Sequence, residues 1–147
     1  GMIEVLRENV EEKAKPFLGI CVGMQLMSSR GLEKTITDGL DWIDGDVVEM
    51  TPSNRDLKIP QIGWNQIDIA QTNCPLFKNI SDGSYVYFVH SFFPEPLDDS
   101  IVATRTTYGD TFASSVWKDN VFATQFHPEK SQAIGLQLLK NFVELGK

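Results

Sequence analysis

The chain has 147 residues, 41 % apolar and 22 % charged, which is enough for one domain with its own core. Thirteen Lys and Arg against 20 Asp and Glu give a formal net charge of −7, which excludes a nucleic-acid reader built on neutralising phosphates. No apolar run approaches the ~18 residues of a membrane span, the start does not read as a signal peptide, and two cysteines, Cys21 and Cys74, cannot form a disulfide framework, so a reducing cytoplasm is the expected compartment.

Residues 2–147 read as one domain, with Gly1 before Met2 set aside as a tag remnant. "IEVLRENVEEKA" (3–14) places Ile3, Leu6 and Val10 on one helical face, and Pro16 ends that helix. "FLGI" (17–20) predicts a short apolar strand of the kind buried in a parallel sheet. "MQLMSS" (24–29) predicts a helix starting right after Gly23, so strand, sharp turn and helix make half of a βαβ unit. "GLDWIDGDVVEM", "KIPQIGWNQIDIA" and "YVYFVHSFFPEP" predict strands separated by Gly, Pro, Asn and Asp turns. Residues 101–129 hold three more short strands, with Asp119 and Asn120 as a tight turn. The final stretch spaces Ile134, Leu138, Phe142 and Leu145 as a helix packed on a core.

"GICVG" has the form Gly-x-Cys-x-Gly, the cysteine version of a nucleophile elbow. Its glycines allow a strained strand-to-helix turn that lifts Cys21 into a cleft. The following helix aims its N-terminus at the sulfur and favours thiolate. The N–H of Val22 points at the developing oxyanion. The competing reading is a buried structural cysteine beside two loop glycines.

Only His90 and His127 can serve as base. His127 lies in "TQFHPEKS", where Glu129, two residues on, falls on the same side of an extended segment and can hold the imidazole in one tautomer. Cys21, His127 and Glu129 then make a triad, unless His-Pro-Glu is simply a strand-ending turn. His90, in "YFVHSFF", is either a substrate-side residue or a satisfied histidine at a strand end.

"PFLGICVGMQLM" followed ~100 residues later by "ATQFHPEKSQAIGLQLLKNF" resembles the class I glutamine amidotransferases. "IPQIGWNQI" and "YFVHSFF" narrow the resemblance to glutaminase subunits of imidazole glycerol phosphate synthases, of histidine biosynthesis. The resemblance implies an α/β, flavodoxin-like sandwich with Cys21 as nucleophile, His127 as base and Glu129 as its orienter. It further implies that Gln25 lines the glutamine pocket, that Ser91 and Phe92 present backbone to the substrate amino acid, and that Trp64 meets a (β/α)8-barrel cyclase partner. No cofactor and no metal are implied. In that family ammonia released from glutamine passes through the barrel to a ribonucleotide intermediate. Members usually carry His at Gln61, Leu at Val22 and Tyr at Phe92. They also carry roughly 50 residues before the segment matching Met2, which hold early strands and a second oxyanion donor. The expectation is therefore a chain lacking its N-terminal strands, with negligible activity even beside the barrel partner until the upstream residues are restored, and an open sheet edge that a homodimer covers. The alternatives are a paralogous amidotransferase subunit serving another pathway, such as amidino sugars of surface polysaccharide, or a non-catalytic interaction module.

Overall fold

The computed structural model describes residues Gly1–Lys147. Helix α1 (Met2–Arg7) runs on into a π-helical turn over Glu8–Glu12. The predicted apolar face does not pack as a unit: Val10 is buried, but Ile3 is exposed. Residues 2–12 therefore lie against the fold at one end only.

Strand β1 (Phe17–Ile20) pairs in parallel with β11 (Val121–Thr124), Phe17 opposite Val121 and Ile20 opposite Thr124. Next come β10 (Asp110–Lys118), β9 (Val102–Tyr108) and the short β6 (Asp68–Ile69), all joined by antiparallel ladders. The order in this five-stranded sheet is β1-β11-β10-β9-β6. "FLGI" is thus parallel-paired, as its apolarity suggested, but on one side only, which makes it an edge strand with Gly19 alone fully buried. Apolarity reports what covers the faces of a strand; it is blind to which edges are hydrogen-bonded.

Helix α2 (Val22–Leu26) has five residues, and the predicted continuation through Ser28 and Ser29 is instead strand β2 (Ser28–Gly31). Two facts stop the helix. The Met27 carbonyl accepts the Trp42 and Ile43 N–H groups, both at 2.9 Å. The Ser29 hydroxyl donates to Asp41 Oδ1 at 2.6 Å, a local alternative to helical bonding that Ser favours. β2 joins β3 (Thr37–Asp38), β4 (Ile43–Glu49) and β8 (Phe92–Pro96) in a second sheet ordered β3-β2-β4-β8. A two-stranded ribbon of β5 (Gln61–Gln66) and β7 (Tyr85–His90) completes the set. "YVYFVHSFFPEP", predicted as one strand, breaks at Ser91, whose carbonyl accepts the Met50 N–H at 2.8 Å, so β7 and β8 enter different sheets.

The final helix α3 (Gln132–Leu145) packs as its spacing predicts. Leu138 is fully buried, and Ile134, Phe142 and Leu145 lie against the main core cluster, which includes Phe88, Phe112, Phe122 and Phe126. Asn141 Nδ2 donates to the carbonyls of Leu76 (2.9 Å) and Lys78 (2.7 Å), fixing the helix to the 75–78 turn. A Cβ at Gly135 would run into the Pro128 carbonyl, so only glycine lets α3 sit this close to the segment carrying His127. A smaller cluster of Met24, Met27, Ile43, Ile101, Val116 and Ala123 seats α2 between the two larger sheets. No helix is long and apolar enough to cross a membrane.

Candidate active site

Cys21 ends β1, its N–H donating to the Thr124 carbonyl at 2.8 Å. Its backbone has φ 52 and ψ −106, a conformation that costs a non-glycine residue about 1–3 kcal/mol. The strain therefore sits in the cysteine itself, and the flanking glycines divide the remaining work unequally. A Cβ on Gly19 would lie 2.6 Å from Met27 Sδ and 2.8 Å from both the carbonyl carbon and the oxygen of Gly23. A Cβ on Gly23 would meet nothing within 4 Å. Gly19 lets the helix close down on the strand; Gly23 is not sterically required, contrary to the reading in which both serve the turn.

The parallel pairing of β1 with β11 brings the segment carrying His127 to the sheet end that carries Cys21. Both strands point the same way, so the chain leaves Ile20 and Thr124 at the same end of the sheet. His127 lies three residues beyond Thr124, and its N–H donates to the Tyr87 carbonyl at 2.9 Å. Cys21 Sγ faces the Val89 carbonyl at 3.8 Å. These carbonyls are two residues apart on β7, about 6.6 Å along a strand, so the Cys21 sulfur and the His127 backbone meet the same strand.

His127 Nδ1 lies 2.6 Å from Glu129 Oε1. With Nδ1–H donating to that carboxylate, Nε2 is left with its lone pair free. The segment is extended only at His127; residues Pro128–Lys130 form a 3₁₀ turn that carries Glu129 back toward the ring. Ser131, missed in the sequence, is the staple. Its hydroxyl donates to the His127 carbonyl at 2.6 Å and accepts the Tyr87 N–H at 3.0 Å. Ser131 reads as an N-cap of the last helix, but its side chain makes no capping bond there.

The thiol does not behave as the helix argument predicts. Burial pushes the Cys21 thiol up from its ordinary value. The Val22 N–H and the Gln125 amide pull it down by donating to the sulfur, with smaller effect; the Glu129 charge raises it and Lys130 lowers it. A five-residue helix supplies little dipole, and burial is the largest influence on the thiol. Cys74 is buried beside Leu76 and Phe77, far into the core, and burial pushes its thiol up to about 11.

A cleft of about 470 Å³ opens beside α2, lined among others by Val22, Gln25, Glu33, Lys34, Asp38 and Phe92. Glu33, Lys34 and Asp38 do not stand out in the sequence, where they look like a solvated charged loop. Gln25 Nε2 donates to the Phe92 carbonyl at 3.0 Å and to Gln125 Oε1 at 3.3 Å. The carbonyls of Ser91 and Phe92 are thus both engaged within the chain, and Ser91 does not line the cleft. His90 is buried, with Nδ1 2.9 Å from the Phe92 carbonyl and Nε2 2.7 Å from Gln61 Oε1. It braces the cleft wall from behind. Trp64, on β5, is 46 % exposed and meets Tyr87 edge-on at 5.8 Å, leaving Ile62, Trp64 and Tyr85 as an apolar patch on the ribbon that carries the two carbonyls.

Glutamine amidotransferase class-I, as a family, matches residues 1–145, and the chain belongs to that family. Within it, the chain is 57 % identical over 146 residues to the imidazole glycerol phosphate synthase subunit HisH of Agrobacterium fabrum, covering 97 % of this chain and 67 % of that protein. It is 54 % identical over 147 residues to the HisH subunit of Brucella abortus, covering 98 % of this chain and 68 % of the relative. The chain therefore spans about two thirds of the length of these relatives. Among solved structures, PurLQS from Thermotoga maritima superposes with a TM-score of 0.68 at 20 % identity, over 94 % of this chain and 65 % of that one. A glutamine amidotransferase gives 0.69 at 19 % identity, over 99 % and 68 %. Both share the fold, which is the α/β amidotransferase fold expected from the motifs.

Proposed function

We propose that the chain is the glutaminase part of an imidazole glycerol phosphate synthase, releasing ammonia from glutamine for a cyclase partner in histidine biosynthesis. What supports this reading is that Cys21 and His127 follow paired strand ends, with Glu129 against the His127 imidazole, in a chain more than half identical to HisH subunits. Glutamine enters the cleft beside α2. The carboxylates of Glu33 and Asp38 suit its α-ammonium, and Lys34 suits its α-carboxylate. His127 Nε2 takes the Cys21 proton as the sulfur attacks the amide carbon, and the Val22 N–H donates to the oxyanion. The imidazolium, held by Glu129, returns the proton to the departing nitrogen, and ammonia leaves. Water, activated by the same histidine, then attacks the thioester and frees glutamate.

The (β/α)8-barrel partner docks on the β5–β7 ribbon, where Trp64 is the anchor. The free edge of β1 is a second surface, which a further copy of this chain covers in a homodimer. Light scattering tests that point, and a mass that stays at one chain at high concentration refutes it. The nucleophile is tested with a chloroketone analogue of glutamine. The expected result is a single adduct on Cys21, suppressed by glutamine. Labelling of Cys74 at an equal rate, or labelling that glutamine does not suppress, overturns the assignment.

A further inference from the structure

We infer that Gln125 is a positioning residue for the nucleophile: its side-chain amide, aimed by Gln25, donates to Cys21 Sγ and holds the sulfur ready for deprotonation. This rests on the proposed role of Cys21 and adds a residue that role does not include. Gln125 lies between Thr124, whose carbonyl holds the Cys21 N–H, and Phe126, which packs in the main core. It has no exposed surface at all, an unusual place for a primary amide unless both ends are used. Both ends are used. Its Nε2 donates to Cys21 Sγ at 3.6 Å, and its Oε1 accepts from Gln25 Nε2 at 3.3 Å. Its N–H donates to the Ser114 carbonyl at 2.8 Å, which fixes the backbone beneath it.

The direction of the amide is what matters. An amide turned the other way would set a carbonyl oxygen against the sulfur and oppose thiolate formation. Gln25 prevents this, because its own amide is already committed as donor to Phe92 and can only offer a further N–H to Gln125. The result is a one-way series of donors, Gln25 to Gln125 to Cys21, that ends on the atom that must become negative. It opposes the two influences that raise the thiol, burial and the Glu129 carboxylate. A hydrogen bond to a charged, partly buried acceptor is among the stronger neutral-donor interactions, so its removal should be measurable.

The test is the pH dependence of Cys21 alkylation by iodoacetamide in the intact chain, read by mass spectrometry, with Cys74 as internal control. Gln125→Met keeps the side chain unbranched and of similar size while removing the donor. The expected result is a rise in the Cys21 midpoint of about one pH unit, or about tenfold less thiolate at a fixed pH below it. Gln125→Glu, which puts a carboxyl where the donor was, should raise the midpoint at least as far. Gln25→Leu, which leaves Gln125 in place but frees its amide to turn, should give a smaller rise and serves if a Gln125 variant fails to fold, as exposure of Cys74 would reveal. If Cys21 in the unsubstituted protein is no more reactive than Cys74, the nucleophile assignment falls. If Cys21 is reactive and folded variants titrate at the unsubstituted midpoint, the role of Gln125 falls alone.

Discussion

Replacing Gly19 with alanine isolates the packing that shapes the elbow. A Cβ there would sit 2.6 Å from Met27 Sδ and 2.8 Å from two backbone atoms of Gly23. The sulfur could swing aside, because Met is flexible, but the Gly23 carbonyl is part of α2 and cannot move without carrying the helix off β1. Overpacking of this kind costs about 1–3 kcal/mol, and the two backbone contacts place this substitution at about 2–3 kcal/mol. At roughly 3–4 °C per kcal/mol for a chain of this size, the melting temperature should fall by about 6–12 °C. Gly23→Ala is the control, since its Cβ enters open space in a helical backbone and should leave stability unchanged or raise it by up to about 1 kcal/mol. Thermal unfolding followed by circular dichroism reads both, and chloroketone labelling reports whether Cys21 has moved. A Gly19→Ala protein that melts within about 2 °C of the parent, or a Gly23→Ala protein that loses more, would refute the division of labour between the two glycines.

Glu129→Gln should lower glutamate release by about 10²–10⁴, assayed with the cyclase partner in a chain restored with the leading residues that family members carry, because the imidazole loses its orienter. Plain iodoacetamide alkylation of Cys21 should not slow in the same variant, since the Glu129 charge raises the thiol; parallel losses in both assays would count against the assignment. Burial holds the His90 imidazole down to about 4, so it stays neutral in the fold while the unfolded chain protonates near 6.5. Stability from this residue is therefore complete above about pH 6.5 and is lost as pH falls toward 4, by on the order of 3 kcal/mol. Urea unfolding at pH 7 and pH 4.5 should show His90→Gln losing less on acidification than the parent, and equal losses would contradict the linkage. Trp64→Ala should weaken partner binding at least about 30-fold by calorimetry while leaving Cys21 labelling by the chloroketone intact, and unchanged affinity would move the docking surface elsewhere.

The sequence by itself named the candidate groups and the family. Gly-x-Cys-x-Gly and His-Pro-Glu are local patterns, and the bond between His127 and Glu129 spans two residues, so it could be expected before any fold was known. The last helix was equally legible, because its apolar spacing is a property of the helix alone. Only the tertiary structure decided what depends on neighbours distant in the chain. It made "FLGI" an edge strand, since hydrogen-bonded partners leave no mark on a strand's composition. It ended α2 at five residues, because the Met27 carbonyl is taken by Trp42 and Ile43. It raised the Cys21 thiol through burial that no motif records, and it put Gln125 against the Cys21 sulfur and Ser131 against the His127 carbonyl, though neither residue carries a motif of its own. A motif names candidate groups, but their environment is assembled from segments 68 to 106 residues away, and packing alone brings those together.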